Sequence, residues 1–398
     1  MKVRLTPQAL ATGLLAFAPL AMAFVRRSST LLLAATALAS IVSARGQIRE
    51  NWRAARFDPA LLAGLALLAF WAAVTLFWSP LPARGLKQLA FDFMLPVAAG
   101  LVLLTQPRQA PSDRTLVWLL VPLALAGALV AVQLFFQLRI EAFFNAKESH
   151  NELWRFNMIV VTLALFLPAL MMAMRRIPLM AASTALLIIL AVTLSQSASA
   201  KMAVIAGLFA YALFRTLPRR LSLVMTAAML FVLLALQPWQ GRLIEQGFAA
   251  AGKTEILFPS AKERIVIWKA SGAMALHALP WGTGMGSSDA VSETPFAKAM
   301  PPELSIGLRQ THAHDAFLNV LMELGLPGLI GMGLVVFGLL RMASRLPTLI
   351  YAPAMSLLVQ VVVIDLISHG AWQAWWFTAI MLGVLALRTW ASDQPQPR

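Results

Sequence analysis

The sequence predicts an all-α polytopic integral membrane protein with about twelve transmembrane helices. Of its 398 residues 60% are apolar and only 12% are charged, where a soluble domain carries about twice that charged share. Uncharged apolar runs recur from residue 8 to residue 387, so the bilayer is the main solvent of this chain. Intrinsic disorder, a collagen-like fibre and a soluble enzyme are excluded. The chain has no cysteine, which excludes disulfide frameworks, thiolate metal sites, cysteine nucleophiles and cysteine lipidation together.

Apolar stretches between charged or proline-rich breaks mark spans near residues 8–25, 28–44, 59–79, 88–105, 115–137, 157–174, 179–195, 202–216, 221–238, 326–340, 350–368 and 372–389. Each is of the length order of a membrane crossing, about 20 residues. With both ends cytoplasmic, the cytoplasmic loops and tails hold 17 of the 32 Lys and Arg residues, among them Arg45, Arg49, Arg53, Arg56, Arg175, Arg176, Arg215, Arg219, Arg220, Arg341 and Arg345. The short external loops hold eight. This is the asymmetry of the positive-inside rule. It accounts for the net charge of +15 without a nucleic-acid partner, and none is expected. Ala21-Met22-Ala23 resembles a signal-peptidase site, but Arg26, Arg27 and a second apolar run follow at once, so the first span is expected to be retained. No repeat with a period of about 20 to 50 residues is visible.

The remaining seven Lys and Arg residues fall in one long segment that the alternation of spans places outside. The expected organisation is one integrated membrane domain: nine spans over 1–238, an external catalytic segment over 239–325, and three spans with a tail over 326–398. Connectors longer than about 15 residues are usually functional or disordered, and this one has Trp239, Phe248, Ile256, Leu257, Ile265, Ile267, Trp268 and Trp281 to bury. It is therefore expected to be ordered and to contain short helices. A second external loop, 138–156, carries Arg139, Glu141, Lys147, Glu148, His150, Glu152 and Arg155 and is polar enough to face water.

Four stretches hold residues suited to chemistry. From Ala261 to Leu276, Arg264, Trp268, Ser271 and Ala275 share one helical face. Arg264 reads either as a snorkelling residue at the headgroup level or as a phosphate ligand, since a guanidinium gives two parallel hydrogen bonds to one phosphate. Pro280-Trp281-Gly282-Thr283-Gly284-Met285-Gly286 looks phosphate-cradling, yet it follows no predicted strand and lacks the P-loop lysine. It reads first as a tight turn and second as backbone contact with a ligand.

Thr311-His312-Ala313-His314-Asp315 holds two of the five histidines. With Thr311 as a helix cap, His314 lies in the first turn, where the positive end of the dipole keeps imidazole neutral and suited to act as a general base. A polar cap and a metal site are the other readings, although the cluster has no clear further ligand. Ser195-Gln196-Ser197-Ala198-Ser199-Ala200-Lys201 is a small-residue turn whose only charge is Lys201, an anchor or a point charge for an anionic substrate. Asp92, Asp365 and His369 lie in or near spans and need partners; Asp365 and His369, one helical turn apart, are expected to satisfy each other.

Taken in order over roughly 190–330, these pieces resemble the O-antigen ligase and polymerase family of bacterial inner-membrane glycosyltransferases. The features that carry the resemblance are the Ser/Gln-rich turn with Lys201, then Glu263-Arg264 with Trp268, then Pro280 with its glycines. His312-Ala313-His314-Asp315-Ala316-Phe317-Leu318 and Glu323-Leu324-Gly325-Leu326-Pro327-Gly328 complete the set. Lys201 stands where such proteins often have Arg, and Asp315 where Asn is frequent. The resemblance implies a GT-C-like fold and transfer of a glycan from undecaprenyl pyrophosphate to lipid A-core at the periplasmic face. It implies inversion at the anomeric carbon, with no cofactor, nucleotide sugar or required metal, and membrane lipids as the surroundings.

On that basis His314 is the expected base with His312 as its rival. Arg264 and Lys201 are the expected cations, and Arg155, Arg309, Trp268 and Asp315 the further substrate contacts. This chemistry suits the donor, because pyrophosphate is already a good leaving group and needs mainly cations and a base for the acceptor hydroxyl. An O-antigen polymerase would use the same groups. A protein O-oligosaccharyltransferase is a third reading and a secondary transporter or lipid flippase a fourth, but transporters gather their polar groups near the midplane. The sequence carries no signal of an oligomeric state.

Overall fold

A computed structural model describes residues 7–25, 28–44, 47–107, 113–137, 156–253, 255 and 259–391. The helices are α1 (Pro7–Met22), α2 (Ser28–Ser43), α3 (Ile48–Ala55), α4 (Pro59–Thr75), α5 (Pro82–Lys87), α6 (Leu95–Thr105), α7 (Asp113–Phe135), α8 (Asn157–Ala164), α9 (Leu167–Ala173) and α10 (Pro178–Leu194). They continue as α11 (Ala198–Thr216), α12 (Arg219–Leu236), α13 (Gln240–Ala250), α14 (Pro259–His277), α15 (Pro295–Lys298), α16 (Pro302–Ser305), α17 (Ala316–Ser344), α18 (Thr348–Ile367) and α19 (Ala374–Ala391). A π-helix, Gln88–Met94, joins α5 to α6. Among the described residues there is no strand.

Helix covers most of each of the twelve apolar stretches, with 157–174 divided into two short helices. Six helical segments among the described residues are long and apolar enough to cross a membrane: Pro82–Thr105, Thr115–Phe135, Ala198–Thr216, Arg219–Ala250, Ala316–Ser344 and Thr348–Ile367. Five further apolar helices are shorter, and Ser28–Ser43 joins Ile48–Ala55 through a bend of 118°. The ninth stretch runs past its expected end at 238. Gln237–Trp239 forms a single 3-10 turn and the chain goes on as α13; Pro238 sits in the first turn, where its missing N–H leaves no gap in the ladder.

Two helix pairs set the geometry of the site. α4 lies against α17, and a side chain at Gly64 would meet the backbone of Gly331 and Val335 at 2.7 Å, the close approach that small residues allow between membrane helices. α11 lies against α18, where Ser356 Oγ donates to the Gly207 carbonyl at 2.7 Å. Sequence sets where these helices begin. Asp58 caps α4 through the Ala60 N–H, with Pro59 at the first helical position. Ser197 caps α11 through the Ala200 N–H, and Asp315 caps α17 through the Leu318 N–H at 2.8 Å.

α17 is interrupted at Gly325, which takes φ 64° and ψ −154°, a region open almost only to glycine. The glycine-rich turn 280–286 wraps this break. Thr283 N–H and Gly284 N–H donate to the carbonyls of Met322 and Glu323, both at 2.9 Å, and Leu326 N–H donates to Pro280 O at 2.9 Å. The first half of α17 is thus capped at its C-terminus by the turn. Beneath it the buried Glu323 accepts from Gly286 N–H at 3.0 Å, Ser288 N–H at 3.1 Å, the Ser288 hydroxyl and Trp372 Nε1 at 2.7 Å. Around α14 a separate apolar core gathers Ile265, Trp268, Met274, Leu308, Leu318 and Leu321, so the segment from α14 onward is packed.

Candidate active site

The site forms where α18 ends. The last carbonyls of a helix have no partner inside it, and here three consecutive ones are taken by side chains from three other parts of the chain. Gln240 Nε2 reaches Leu366 O at 3.5 Å, Arg264 Nη1 donates to Ile367 O at 2.6 Å, and His314 Nδ1 meets Ser368 O at 3.0 Å. The negative end of the α18 dipole therefore holds a guanidinium and an imidazole.

A carbonyl only accepts, so His314 carries its proton on Nδ1 and donates it to Ser368 O. In the neutral ring this leaves Nε2 with a free lone pair. Burial lowers the His314 pKa from its ordinary value, with the Arg264 charge acting the same way; the Ser368 bond and Glu263 act against them. The backbone at His314 is in the left-handed region, φ 53°, uncommon outside glycine. This turn lets Ala313 enter the α14 core while the His314 ring faces Ser368.

His312 lies beside it, with ring centroids 4.3 Å apart, and its Nδ1 pairs with Thr311 Oγ1 at 2.9 Å. Burial, then His314 and then Arg264 lower the His312 pKa to about 3. His369 stands 4.7 Å from the Trp375 ring and 5.5 Å from the Trp376 ring, measured between centroids. Burial and then the neighbouring His312, His314 and Arg264 hold it well below the usual histidine range. The Arg264 charge thus acts on three imidazoles, each of which it helps keep neutral. Burial lowers the Arg264 pKa and Glu263 opposes the shift; an arginine remains charged regardless. With Nη1 on Ile367 O, Arg264 has no other hydrogen bond or ion pair among the described residues, so its remaining N–H groups are open to a ligand.

The structure brings Arg264, His312 and His314 together. Lys201 sits in the first turn of α11, two residues after Ser199, whose hydroxyl bonds the Ser368 hydroxyl at 3.0 Å. Lys201 is partly buried as a residue, and its ammonium makes no hydrogen bond or ion pair among the described residues. Arg309 is exposed at the end of the Ile306–Arg309 turn. Arg155 and the rest of 138–155 lie outside the described residues.

Two expectations are corrected, and two residues expected at the substrate are buried. The helix cap is Asp315 and not Thr311, so His314 precedes the helix instead of lying in its first turn; the left-handed turn at His314 moves the start. Asp315 is fully buried, with its oxygens on Leu318 N–H and on Gln240 Nε2 at 2.8 Å. The Gln237 amide, turned to donate, reaches the same carboxylate at 3.0 Å, so the Asp315 oxygens are bonded within the protein. Trp268 is 6% exposed within the α14 core. Asp365 and His369 do not pair: Asp365 accepts from Trp376 Nε1 at 2.6 Å, and His369 Nε2 faces Ser368 Oγ at 3.3 Å. Sequence reasoning gave no role to Ser199, whose only signal was the serine-rich turn, or to Ser368, which carried none. Among the described residues no group of histidines and carboxylates could hold a metal ion.

Residues 183–333 match a family model described as O-antigen ligase. The matched region carries Lys201, Arg264, His312 and His314 and stops short of the turn at 366–369. No curated protein matches the chain.

Proposed function

We propose that this chain, which carries an O-antigen ligase family domain, is an inverting glycosyltransferase of the bacterial inner membrane that moves a glycan from undecaprenyl pyrophosphate to lipid A-core at the periplasmic face. The observation that carries the reading is His314: its Nδ1 proton is committed to the Ser368 carbonyl, which leaves Nε2 unprotonated, and the adjacent Ile367 carbonyl holds Arg264. A base next to a phosphate-type cation is what transfer from a lipid pyrophosphate requires.

In this mechanism the acceptor hydroxyl gives its proton to His314 Nε2 as its oxygen attacks the anomeric carbon. The bond from that carbon to the pyrophosphate oxygen breaks with inversion. Negative charge growing on the leaving oxygen is met by Arg264 and Lys201, with Arg309 and Arg155 as outer contacts. His312, neutral and against His314, adds no competing charge to the base. The chain supplies its cations as side chains, and no step calls for a metal.

The test is reconstitution of the purified protein with undecaprenyl-pyrophosphate glycan and lipid A-core, without ATP, followed by gel and mass spectrometry of the products. Glycan joined to lipid A-core is expected. Growth of the undecaprenyl-linked glycan with the core left bare would replace the ligase reading with the polymerase. Uptake without transfer would favour a transporter.

A further inference from the structure

We infer that Ser199 and Ser368 are positioning residues for the transfer: their buried hydroxyl–hydroxyl bond fixes the turn whose carbonyls aim His314 and Arg264, and ties it to the helix that carries Lys201. The inference rests on the reading above and adds the group that does the aiming.

α18 ends at Ile367, and Ser368 leaves the helical region with φ −133° and ψ −48°. The helix therefore no longer dictates where the Ser368 carbonyl points. Residue 368 is held by its N–H, which donates to Ile364 O at 3.0 Å, and by its hydroxyl, which accepts from Ser199 Oγ at 3.0 Å. Ser199 in turn meets Ser197 Oγ at 3.2 Å, and Ser197 caps α11 through Ala200 N–H. The first turn of α11, with Lys201 in it, and the turn after α18 are thereby one hydrogen-bonded unit. Ser199 is 3% and Ser368 7% exposed, so water does not compete for the bond.

A general base is effective when a third group orients it and fixes its tautomer. Here that group is a backbone carbonyl, Ser368 O, and no side-chain carboxylate takes part. A carbonyl cannot be tuned by its own side chain, so its aim depends on what anchors the turn. Each serine can lose its hydroxyl without stranding the other: Ser199 keeps Ser197, and Ser368 keeps His369 Nε2.

The experiment compares Ser199→Ala, Ser368→Ala, the double variant and Ser199→Thr in the full-length reconstituted protein. It reads kcat, KM for the donor and the pH profile of the rate. In parallel, carbethoxylation of His314 by diethyl pyrocarbonate is followed against pH by mass spectrometry, a readout independent of transfer. Misaiming of the base predicts that each alanine variant loses roughly 10- to 100-fold in kcat with little change in KM. The double variant should be no worse than either single one, because both remove the same bond. Ser199→Thr should recover most of the rate, and the alanine variants should move the His314 titration to lower pH as its bond to Ser368 O loosens. An unchanged kcat in Ser199→Ala overturns the inference. So does a loss that adds up in the double variant, tracks melting temperature and leaves the His314 titration in place. Should the wild-type protein transfer no glycan, the function proposed above fails by itself; the His314 titration then decides this inference alone, upheld by a shift and overturned by none.

Discussion

At His314 the backbone does something that costs free energy, on the order of 1 kcal/mol or more for a left-handed non-glycine residue, and the return is the aim of the ring. Asparagine tolerates that conformation far better than alanine and has no comparable base. His314→Asn is therefore expected to keep the fold and lose roughly 100- to 10,000-fold in kcat, read by transfer assay beside a melting curve. Since burial lowers the His314 pKa, the neutral base persists below the ordinary histidine value, and activity is lost only as pH falls through the lowered one. The acid limb of kcat/KM should lie below about 6.5. Arg264→Lys keeps a charge but replaces the planar fork by a point donor that must leave Ile367 O or the phosphate; a fall of roughly 100-fold is expected, and full activity would reduce Arg264 to a membrane anchor. The sequence singled out His314 and Arg264, and the structure places them on adjacent carbonyls at the end of α18. The turn that separates His314 from the helix was not legible in the sequence, because Thr311 and Asp315 are both good caps and only the backbone angle at 314 chooses between them.

Among the elements, α17 shows how a broken helix can be as well satisfied as a continuous one. Its first half ends on the glycine-rich turn, and the backbone of that turn lies too close to Gly325 for any side chain there. Gly325→Ala should therefore cost the strain of an ill-suited conformation, roughly 1–3 kcal/mol, plus the displacement of Pro280 and Trp281. The expected result is a marked drop in melting temperature and in the yield of folded protein, checked by thermal unfolding in detergent. Of the two readings the turn allowed at the sequence level, the structure supports the structural one, since Thr283 and Gly284 spend their N–H groups on α17. The apolar runs made the helices legible. The turn at 366–369 was hidden because its working parts are carbonyls, which every residue has. Asp365 and His369 matched a helical spacing that the chain abandons at Ile367.

Across the whole molecule, chemistry and anchoring sit at opposite ends of α17, 29 residues long with its break at Gly325. At the far end the fully buried Asp58 meets Arg345 Nη2 at 2.8 Å and Arg341 Nε at 3.3 Å while capping α4. Asp58→Asn keeps the cap but strands two half-exposed guanidinium groups; a loss of about 1–2 kcal/mol is expected, seen as a lower melting temperature with kcat unchanged in the folded fraction. A fall in kcat without a fall in stability would show that the two ends are coupled. The turn at 366–369 also has a bearing on how the molecule comes into being. A ribosome delivers Lys201, Arg264 and His314 long before it delivers Ser368, so a nascent chain already holding every motif of the matched region still lacks the group that aims its base. Competence would arrive only with the penultimate helix, and a chain cut after residue 345 would be inserted, bear the whole signature and remain inert.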